Sequence, residues 1–326
     1  SRYDYDAGSL DAANELNVRR LVAKLDWNPN TKNKLTLSYR YNNGERIAPQ
    51  SQNGSTSIRF SNNRYRLISS TNSASLEWKR YFRNSMNNRL LITFNNEITP
   101  TKITGQPFPI VTINDGAATI IFGSSGIGQI NRFTSSEFTL LDIFRFVKNK
   151  HAFSAGIDFD FTKVNDIALN SFFGNYRYRN LNDFIMNAFP IRYTRTLSLI
   201  DRPQNANTNA ASKYDPLRTG FFMTDEIRVN ETLKITPGVR IDKNTLPAKF
   251  EEDNYFNTTA RSEIEKYYDL EGAVSGQSMK PDWQLSSRFG FIYKIPREKI
   301  TVRGGAGIFS GHILNVWASQ LYAANV

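Results

Sequence analysis

Few side chains in this sequence have the type and spacing that catalysis requires. Asp158 and Asp160 lie two residues apart, so on a β-strand they would share one face, as a carboxylate pair for acid–base chemistry does. The only histidines, His151 and His312, form no metal-ligand or catalytic-triad spacing. The chain has no cysteine, which excludes disulfides and thiolate chemistry. The sequence therefore predicts no enzyme, no metal site and no cofactor.

The strand that carries the two aspartates shows a strict alternation of side-chain types. Between Phe153 and Phe161 every second residue is apolar, and the positions between them are small or acidic. The stretch from Leu233 to Asp242 alternates in the same way, with Lys234, Arg240 and Asp242 on its polar face. A strand with one apolar and one charged face is typical of a wall between hydrocarbon and water. Asp158 and Asp160 are thus better explained by a water-filled lumen than by catalysis.

Five hairpins of this kind follow one another along the chain. Their approximate bounds are 17–41, 72–97, 137–161, 218–242 and 285–309. Turns within the hairpins are short and the connections between them are long, which matches outer-membrane barrels with periplasmic turns and extracellular loops. A soluble β-sandwich has similar alternation but rarely has such long loops always at one end. We predict an all-β fold, an antiparallel transmembrane β-barrel.

Composition agrees with a barrel wall. The 326 residues are 40% hydrophobic and 13% aromatic, and the net charge is +11. No stretch is apolar enough for a membrane-spanning helix. The basic residues are scattered through strands and loops without a dense run, so nucleic acid is not predicted as a partner.

Some details of the loops and strands are also predicted. Asn114-Asp115-Gly116 marks the turn of a small hairpin within a loop, and Asn180 to Phe189 has the pattern of a short amphipathic helix. Asp225 shares its face with apolar residues, which places it at a membrane boundary or beside a β-bulge. Trp27 and Trp78 are predicted anchors at the membrane interface.

Four segments resemble the barrel region of TonB-dependent receptors, specifically the Oar-like group of Bacteroidetes. The segments are LVAKLDWNPNTKNKLTLSYRY, KNKHAFSAGIDFDF, TGFFMTDEIRVNETLKITPGVRID and WQLSSRFGFIYKIPREKITVRGGAGIFSGHILNVWASQ. They cover most of the predicted wall and almost none of the long loops. The group tends to have a basic residue and a proline where this chain has His312 and Leu314.

The resemblance implies a receptor of about 22 strands with an N-terminal plug and a motif that engages TonB. It implies that this chain is part of one barrel domain, without the plug and the closing strands, in the outer membrane of a Gram-negative bacterium. The implied function is transport of a substrate, driven by the inner-membrane proton-motive force through TonB. The expected partners are outer-membrane lipid, the protein's own plug, TonB, and a surface lipoprotein or another outer-membrane protein.

Two sets of candidate residues follow. Substrate binding by the extracellular loops is predicted for Arg59, Phe60, Tyr65, Tyr176 and Tyr178. A position facing the lumen or the plug is predicted for Asp158, Asp160, Arg240, Arg288 and Arg303.

Two other functions are considered. A barrel that acts as a surface assembly or adhesion component would use its loops to bind proteins. A ten-strand outer-membrane protease would need carboxylates and histidine at the extracellular rim, and His151 is predicted at the opposite end.

Overall fold

The computed structural model describes residues 3–11, 13–48, 53–54, 56–82, 85–197, 210–246, 252–277 and 282–311. The predicted features at His312 and Leu314 lie outside these residues. The described strands, in chain order, are β1 (Leu16–Asn30), β2 (Asn33–Ala48), β3 (Ser57–Arg59), β4 (Tyr65–Tyr81), β5 (Met86–Ile103), β6 (Ile110–Asp115), β7 (Ala118–Phe122), β8 (Ile130–Lys148), β9 (His151–Leu169), β10 (Asn175–Tyr178), β11 (Arg192–Thr194), β12 (Ser212–Tyr214), β13 (Leu217–Arg228), β14 (Leu233–Thr245), β15 (Gln284–Ile295) and β16 (Ile300–Gly307). The described α-helices are α1 (Gly126–Gln129), α2 (Leu181–Ile185) and α3 (Arg261–Ile264).

Ten long strands of the described part of the chain form one antiparallel sheet, the wall. Their order is β1-β2-β4-β5-β8-β9-β13-β14-β15-β16, and the short strand β12 adds to β9. Each wall strand therefore pairs with the wall strands that precede and follow it in the chain, as in an up-and-down barrel. The predicted all-β wall of about ten strands is confirmed.

The two faces of the wall differ as the alternation predicts. Phe221 lies opposite both Ile157 on β9 and Ile241 on β14, and all three side chains are exposed although their strands lie within the sheet. Gly220, one position earlier, lies opposite Asp158 and Asp242, which are buried. The first face, the apolar face, matches the lipid-exposed side of a membrane wall, and the other is the polar face.

The wall strands are longer than predicted. β9 continues to Leu169, beyond the predicted end at Phe161, and β4 begins at Tyr65, which was predicted to lie in a loop. A tilted membrane crossing needs only about 9 to 11 residues, so the additional strand residues lie outside the membrane. Polarity there no longer alternates, which is why the predicted bounds are too short.

The short turns also refine the prediction. The first turn lies at Thr31-Lys32, between Asn30 of β1 and its partner Asn33 of β2. Asp225 lies opposite Phe153 in regular register, so the predicted bulge there is wrong. Its carboxylate Oδ2 lies 2.7 Å from His151 Nδ1 beside a short turn, at one end of the wall.

The long connections at the other end form a second, five-stranded sheet, which we call the loop sheet. Its order is β11-β10-β6-β7-β3, and β10 with β6 and β3 with β7 pair in parallel. The predicted hairpin is confirmed, since β6 and β7 pair across a turn in which Gly116 has a positive φ of 62°. The predicted helix is shorter than expected: α2 covers five residues, and the Asn180 side chain accepts a hydrogen bond from Asp183 N.

Among the described residues, no helix is long and apolar enough to cross a membrane.

Candidate functional site

One face of the loop sheet is apolar. Val111 and Ile113 on β6 are buried there, opposite Phe122 and Ile120 on β7. Tyr178 on β10 lies beside Ile113 in the parallel pair. Strands β6 and β7 belong to one connection and β10 to another, so two connections contribute to a single apolar surface.

Aromatic rings lie across this surface and enclose what we call the aromatic cleft. Two adjoining cavities of about 530 and about 340 Å³ share four rings as walls. Their aromatic lining residues are Tyr3, Tyr5, Phe60, Phe108, Phe122, Tyr176, Tyr178 and Phe184. Volumes of this size fall in the range of small-molecule sites.

The N-terminal segment brings two of these rings to the cleft. Its backbone is tied to the residues before β4, because Ser61 N donates to Ser9 O at 2.8 Å and Asn62 N donates to Ala7 O at 3.1 Å. At its start, Tyr3 Oη donates to Asn187 Oδ1 at 3.3 Å. These hydrogen bonds hold residues 3–9 beside the aromatic cleft.

The rings contact one another in stacked and edge-on pairs. The Tyr5 and Phe108 centroids are 4.0 Å apart, and Phe184 is edge-on to both Phe122, at 5.6 Å, and Tyr178, at 5.3 Å. Aromatic pairs of this kind add about 0.5 to 1.5 kcal/mol each beyond their buried area. The contacts therefore fix the shape of the cleft.

Burial changes the acidity of the cleft's phenols. Burial, and to a smaller degree the negative charge of Asp6, raises the pKa of Tyr5 to about 12. Burial likewise raises the pKa of Tyr178 and, together with the neighbouring Tyr193, that of Tyr176. The phenols therefore stay neutral over the physiological range, and the cleft offers apolar ring faces with neutral hydroxyl groups.

Three of the five predicted loop residues meet at the cleft. Phe60, Tyr176 and Tyr178 line it. Arg59 lies opposite Ile121 on the other face of the loop sheet, where it donates to Asn63 Oδ1. Tyr65 lies in the wall, below Gly128 of α1.

Sequence reasoning missed five rings of the cleft, namely Tyr3, Tyr5, Phe108, Phe122 and Phe184. Phe108 precedes the predicted hairpin, Phe122 lies on its second strand and Phe184 lies on the predicted helix, so a search for aromatics at those two elements would have found them. Nothing in the sequence pattern marks Tyr3 or Tyr5.

The polar face of the wall carries a compact group of charges, the wall ion network. Arg240 Nη2 lies 2.6 Å from Asp158 Oδ2, and Arg240 Nε donates to Asp242 Oδ2 at 2.7 Å. Arg218 extends the network, with 3.2 Å to Asp160 and 3.3 Å to Asp158. With three carboxylates and two guanidinium groups, its formal charge is −1.

Gly220 makes the network possible because it lies below these side chains. A Cβ atom there would overlap Arg240 Nη2 and Asp158 Oδ1 and would lie 2.8 Å from Asp242 Oδ1. Because glycine has no Cβ atom, it leaves the space that the guanidinium group of Arg240 and the carboxylates of Asp158 and Asp242 occupy.

The remaining predicted polar-face residues lie apart from the network. Arg288 lies opposite Gly238 with its guanidinium 5.7 Å from the ring centre of Phe309, and Arg303 lies opposite Ile292 and is exposed. By alternation both share the face of Arg240. All five predicted residues are therefore on the face opposite the apolar one.

The predicted interface tryptophans lie on the apolar face near the short turns. Trp27 and Trp78 are both opposite Leu35 of β2. Trp283 lies at the loop end, before β15, with Lys243 Nζ 5.6 Å from its ring centre. Tryptophan at both ends of an apolar band is typical of the two membrane interfaces.

A wall of alternating polarity with tryptophan at both ends agrees with the family to which the sequence is assigned. The family model of the outer membrane beta barrel domain matches residues 7–325. The chain belongs to this outer-membrane β-barrel family. Its place is the outer membrane of a Gram-negative bacterium.

Solved structures share the fold of this outer-membrane barrel. The outer membrane transporter YddB from Escherichia coli is 11% identical with a TM-score of 0.56, and the match covers 91% of this chain and 32% of that one. The copper transporter OprC is 12% identical with a TM-score of 0.52, covering 90% of this chain and 36% of that one. The chain thus spans about a third of the length of each, and at this identity the likeness shows the fold alone. No curated protein sequence matches the chain.

Proposed function

We propose that this barrel belongs to a TonB-dependent transporter of the Oar-like group and that its extracellular loops capture the substrate. The observation that carries the proposal is the aromatic cleft. Three connections and the N-terminal segment converge to build it, and the lining of its larger cavity is almost wholly apolar. Ordinary solvent-exposed loops do not enclose an apolar cavity of this kind, whereas ligand sites are concave and mostly apolar.

The residues proposed to bind substrate are those of the cleft, including the predicted Phe60, Tyr176 and Tyr178. Arg59 is proposed to act only indirectly, since it holds Asn63 behind the apolar face. Tyr65 is proposed as a support below α1. A ligand that presents a planar or apolar surface fits this lining best.

The polar face is proposed to line the passage. There, Asp158, Asp160, Arg240, Arg288 and Arg303 would contact water or the plug of the same protein. The buried part of the network keeps its own charges paired, so Arg288 and Arg303 remain for contacts with the plug. Movement of the plug, driven by TonB and the proton-motive force, would then open the passage without covalent chemistry.

Nutrient-limited growth tests this function. A strain that lacks the gene is compared with the parent on a panel of single limiting nutrients and chelated metals, and uptake of the affected nutrient is then measured. Uptake is expected to fall to the level of the deletion strain when TonB is removed or the proton gradient is collapsed.

In the full-length protein, Phe108→Ala is expected to weaken uptake at low nutrient concentration, whereas Tyr267→Ala in another loop leaves it unchanged. Uptake that is independent of TonB would contradict the proposal.

A second candidate function is binding of a protein partner in surface assembly, for example a lipoprotein. It is favoured by the apolar side chains beside the edge strand β11, where Phe189 is 97% exposed and Ile191 and Tyr193 are about half exposed. Edge strands with exposed apolar neighbours invite pairing with another chain. Replacing Phe189 and Ile191 by serine separates the two functions: loss of a co-purifying surface protein with normal uptake favours assembly, and the converse favours transport.

A further inference from the structure

The aromatic cleft has two compartments, its larger and its smaller cavity, with four rings between them. The rings that line both cavities are Tyr3, Phe108, Phe122 and Phe184. They contact one another, since the ring centre of Phe184 lies 6.1 Å from that of Tyr3 and 5.6 Å from that of Phe122. Tyr3 belongs to the N-terminal segment and is 45% exposed, whereas the other three are at least partly buried. A ligand that is longer than either compartment therefore lies beside these rings.

The larger compartment is almost wholly apolar. Apart from the shared rings, its lining consists of Tyr5, Ala7, Phe60, Ile113, Ile120, Leu181 and Ile185. Among the described residues, only the phenols of Tyr3 and Tyr5 bring polar side-chain atoms to it. A rigid apolar group is stabilised in such a place, because it leaves water and contacts ring faces.

The smaller compartment offers neutral hydrogen-bonding groups, since Tyr176, Tyr178 and Asn187 line it. Tyr3 Oη donates to Asn187 Oδ1 at 3.3 Å, and the described residues supply no partner for the NH₂ group of the same amide. This NH₂ group is therefore able to donate to a ligand, while phenol oxygens are able to accept. A neutral ligand group that both accepts and donates, such as an amide or a hydroxyl, matches this lining.

No charged side chain of the described residues lines either compartment. Asp6 and Arg195, whose charges act on phenols of the cleft, bind the protein's own backbone. Asp6 Oδ1 accepts from Gly8 N at 2.8 Å, and Arg195 Nε donates to Phe172 O at 2.7 Å. An ionised ligand group would lose water here without gaining a counter-charge, which is unfavourable. The lining therefore selects against charged ligands.

We propose that the substrate is an uncharged amphiphile that lies across both compartments. Its apolar body contacts the rings of the larger compartment, and its amide or hydroxyl end binds Asn187 in the smaller one. Asn187 is then a specificity-determining residue, and the hydrogen bond from Tyr3 fixes the orientation of its amide. This inference rests on the proposed function, because it assigns a substrate class to the same cleft.

Three probes with one apolar skeleton test the proposal on the full-length protein in lipid nanodiscs. The para isomers of biphenylacetamide, biphenylacetate and biphenylethylamine have a neutral, a negative and a positive end. Equilibrium dialysis measures their binding, with empty nanodiscs as the blank.

Two variants with the same change of charge are compared. Asn187→Asp replaces the amide donor by a carboxylate, keeps an acceptor for Tyr3, and suits the positive φ of 60° at this position, which aspartate tolerates. Asn182→Asp is the matched control, because Asn182 is an exposed residue of α2 that lines neither compartment.

We expect the native protein to bind the amide at least tenfold more tightly than either charged probe. In Asn187→Asp the ratio of amine to amide affinity is expected to rise at least tenfold, while Asn182→Asp keeps the native ratio. Equal affinity of the native protein for the three probes, or no binding of the amide, would overturn the proposal, as would equal ratios in the two variants. TonB-dependent uptake is measured separately, so failure of the substrate class leaves the transport proposal untouched.

Discussion

The ring of Tyr5 stacks on the ring of Phe108, with centroids 4.0 Å apart and 16° between the planes. Tyr5 precedes the first wall strand, whereas Phe108 lies in the connection between β5 and β6. The contact therefore couples two distant parts of the chain at the wall of the aromatic cleft. We expect that replacing either ring changes the packing of both the segment before β1 and the connection between β5 and β6.

The acidity of Tyr5 gives a first prediction. Its folded-state pKa of about 12 lies above the usual 10.0, so its contribution to stability is complete below pH 10 and is lost as the pH rises towards 12. A difference titration of tyrosinate absorbance between the native protein and Tyr5→Phe is expected to show a midpoint near 12. A midpoint near 10 would mean that Tyr5 is not enclosed by the cleft.

The space above Gly220 gives a second prediction. In Gly220→Ala the added methyl group collides with Arg240 and Asp158 and must displace the network. Overpacking of this kind typically costs about 1 to 3 kcal/mol. The matched control is Gly290→Ala on the same face, where the nearest atom to a Cβ is 3.9 Å away and no loss is expected. Heat-dependent mobility in gels measures the difference, and equal stability of both variants would contradict it.

Removal of Arg240 is predicted to be more costly still. Arg240→Gln leaves Asp158 and Asp242 facing each other with reduced compensation, and both carboxylates are buried. Breaking a buried ion pair from one side typically destabilises by about 3 to 5 kcal/mol. Urea unfolding in detergent compares it with Arg303→Gln, an exposed arginine of the same face that is expected to change little. Similar midpoints for the two variants would rule out a structural role for the network.

The membrane depth of the tryptophans is also predictable. In proteins with a single tryptophan, Trp27 and Trp283 are each expected to be quenched by bromine near the lipid headgroups, since they lie at opposite ends of the apolar face. Ile157→Trp, near the middle of the part of β9 assigned to the membrane and on that face, should instead respond to bromine at the bilayer centre. Quenching of Trp27 at the centre would shift the assigned membrane band.

The wall could be predicted from the sequence because period-two alternation is a local signal. The parity of Asp158, Asp160 and Arg240 was enough to assign them to one face, and the register agrees. The strand ends escaped prediction because Lys163, Asn165 and Asp166 are polar on both faces once the strand leaves the membrane. Arg218 and Gly220 were not recognised as parts of the network, although alternation along β13 assigns both to the face of Asp158 and Asp160.

The loop sheet could not be predicted to the same extent. Its parallel pairs join distant residues, such as Asn175 with Ile110 and Ser57 with Thr119, and parallel pairing leaves no turn motif in the sequence. Only β6 and β7, which are joined by the tight turn at Gly116, had a local signature. The aromatic cleft depends on these distant pairings. The sequence therefore allowed individual residues of the cleft to be predicted but not their assembly into one site.

The most direct test of the central claim labels the rim of the aromatic cleft in living cells. The chain has no cysteine, so Met186→Cys, beside the cleft residue Ile185 and 72% exposed in the native side chain, provides a unique site. Tyr267→Cys, in a different loop and 79% exposed as tyrosine, is the control. A bulky, membrane-impermeant maleimide is expected to label both in intact cells but to slow uptake of the transported nutrient only in Met186→Cys. Full labelling of Met186→Cys with unchanged uptake would contradict capture of substrate by the loop sheet.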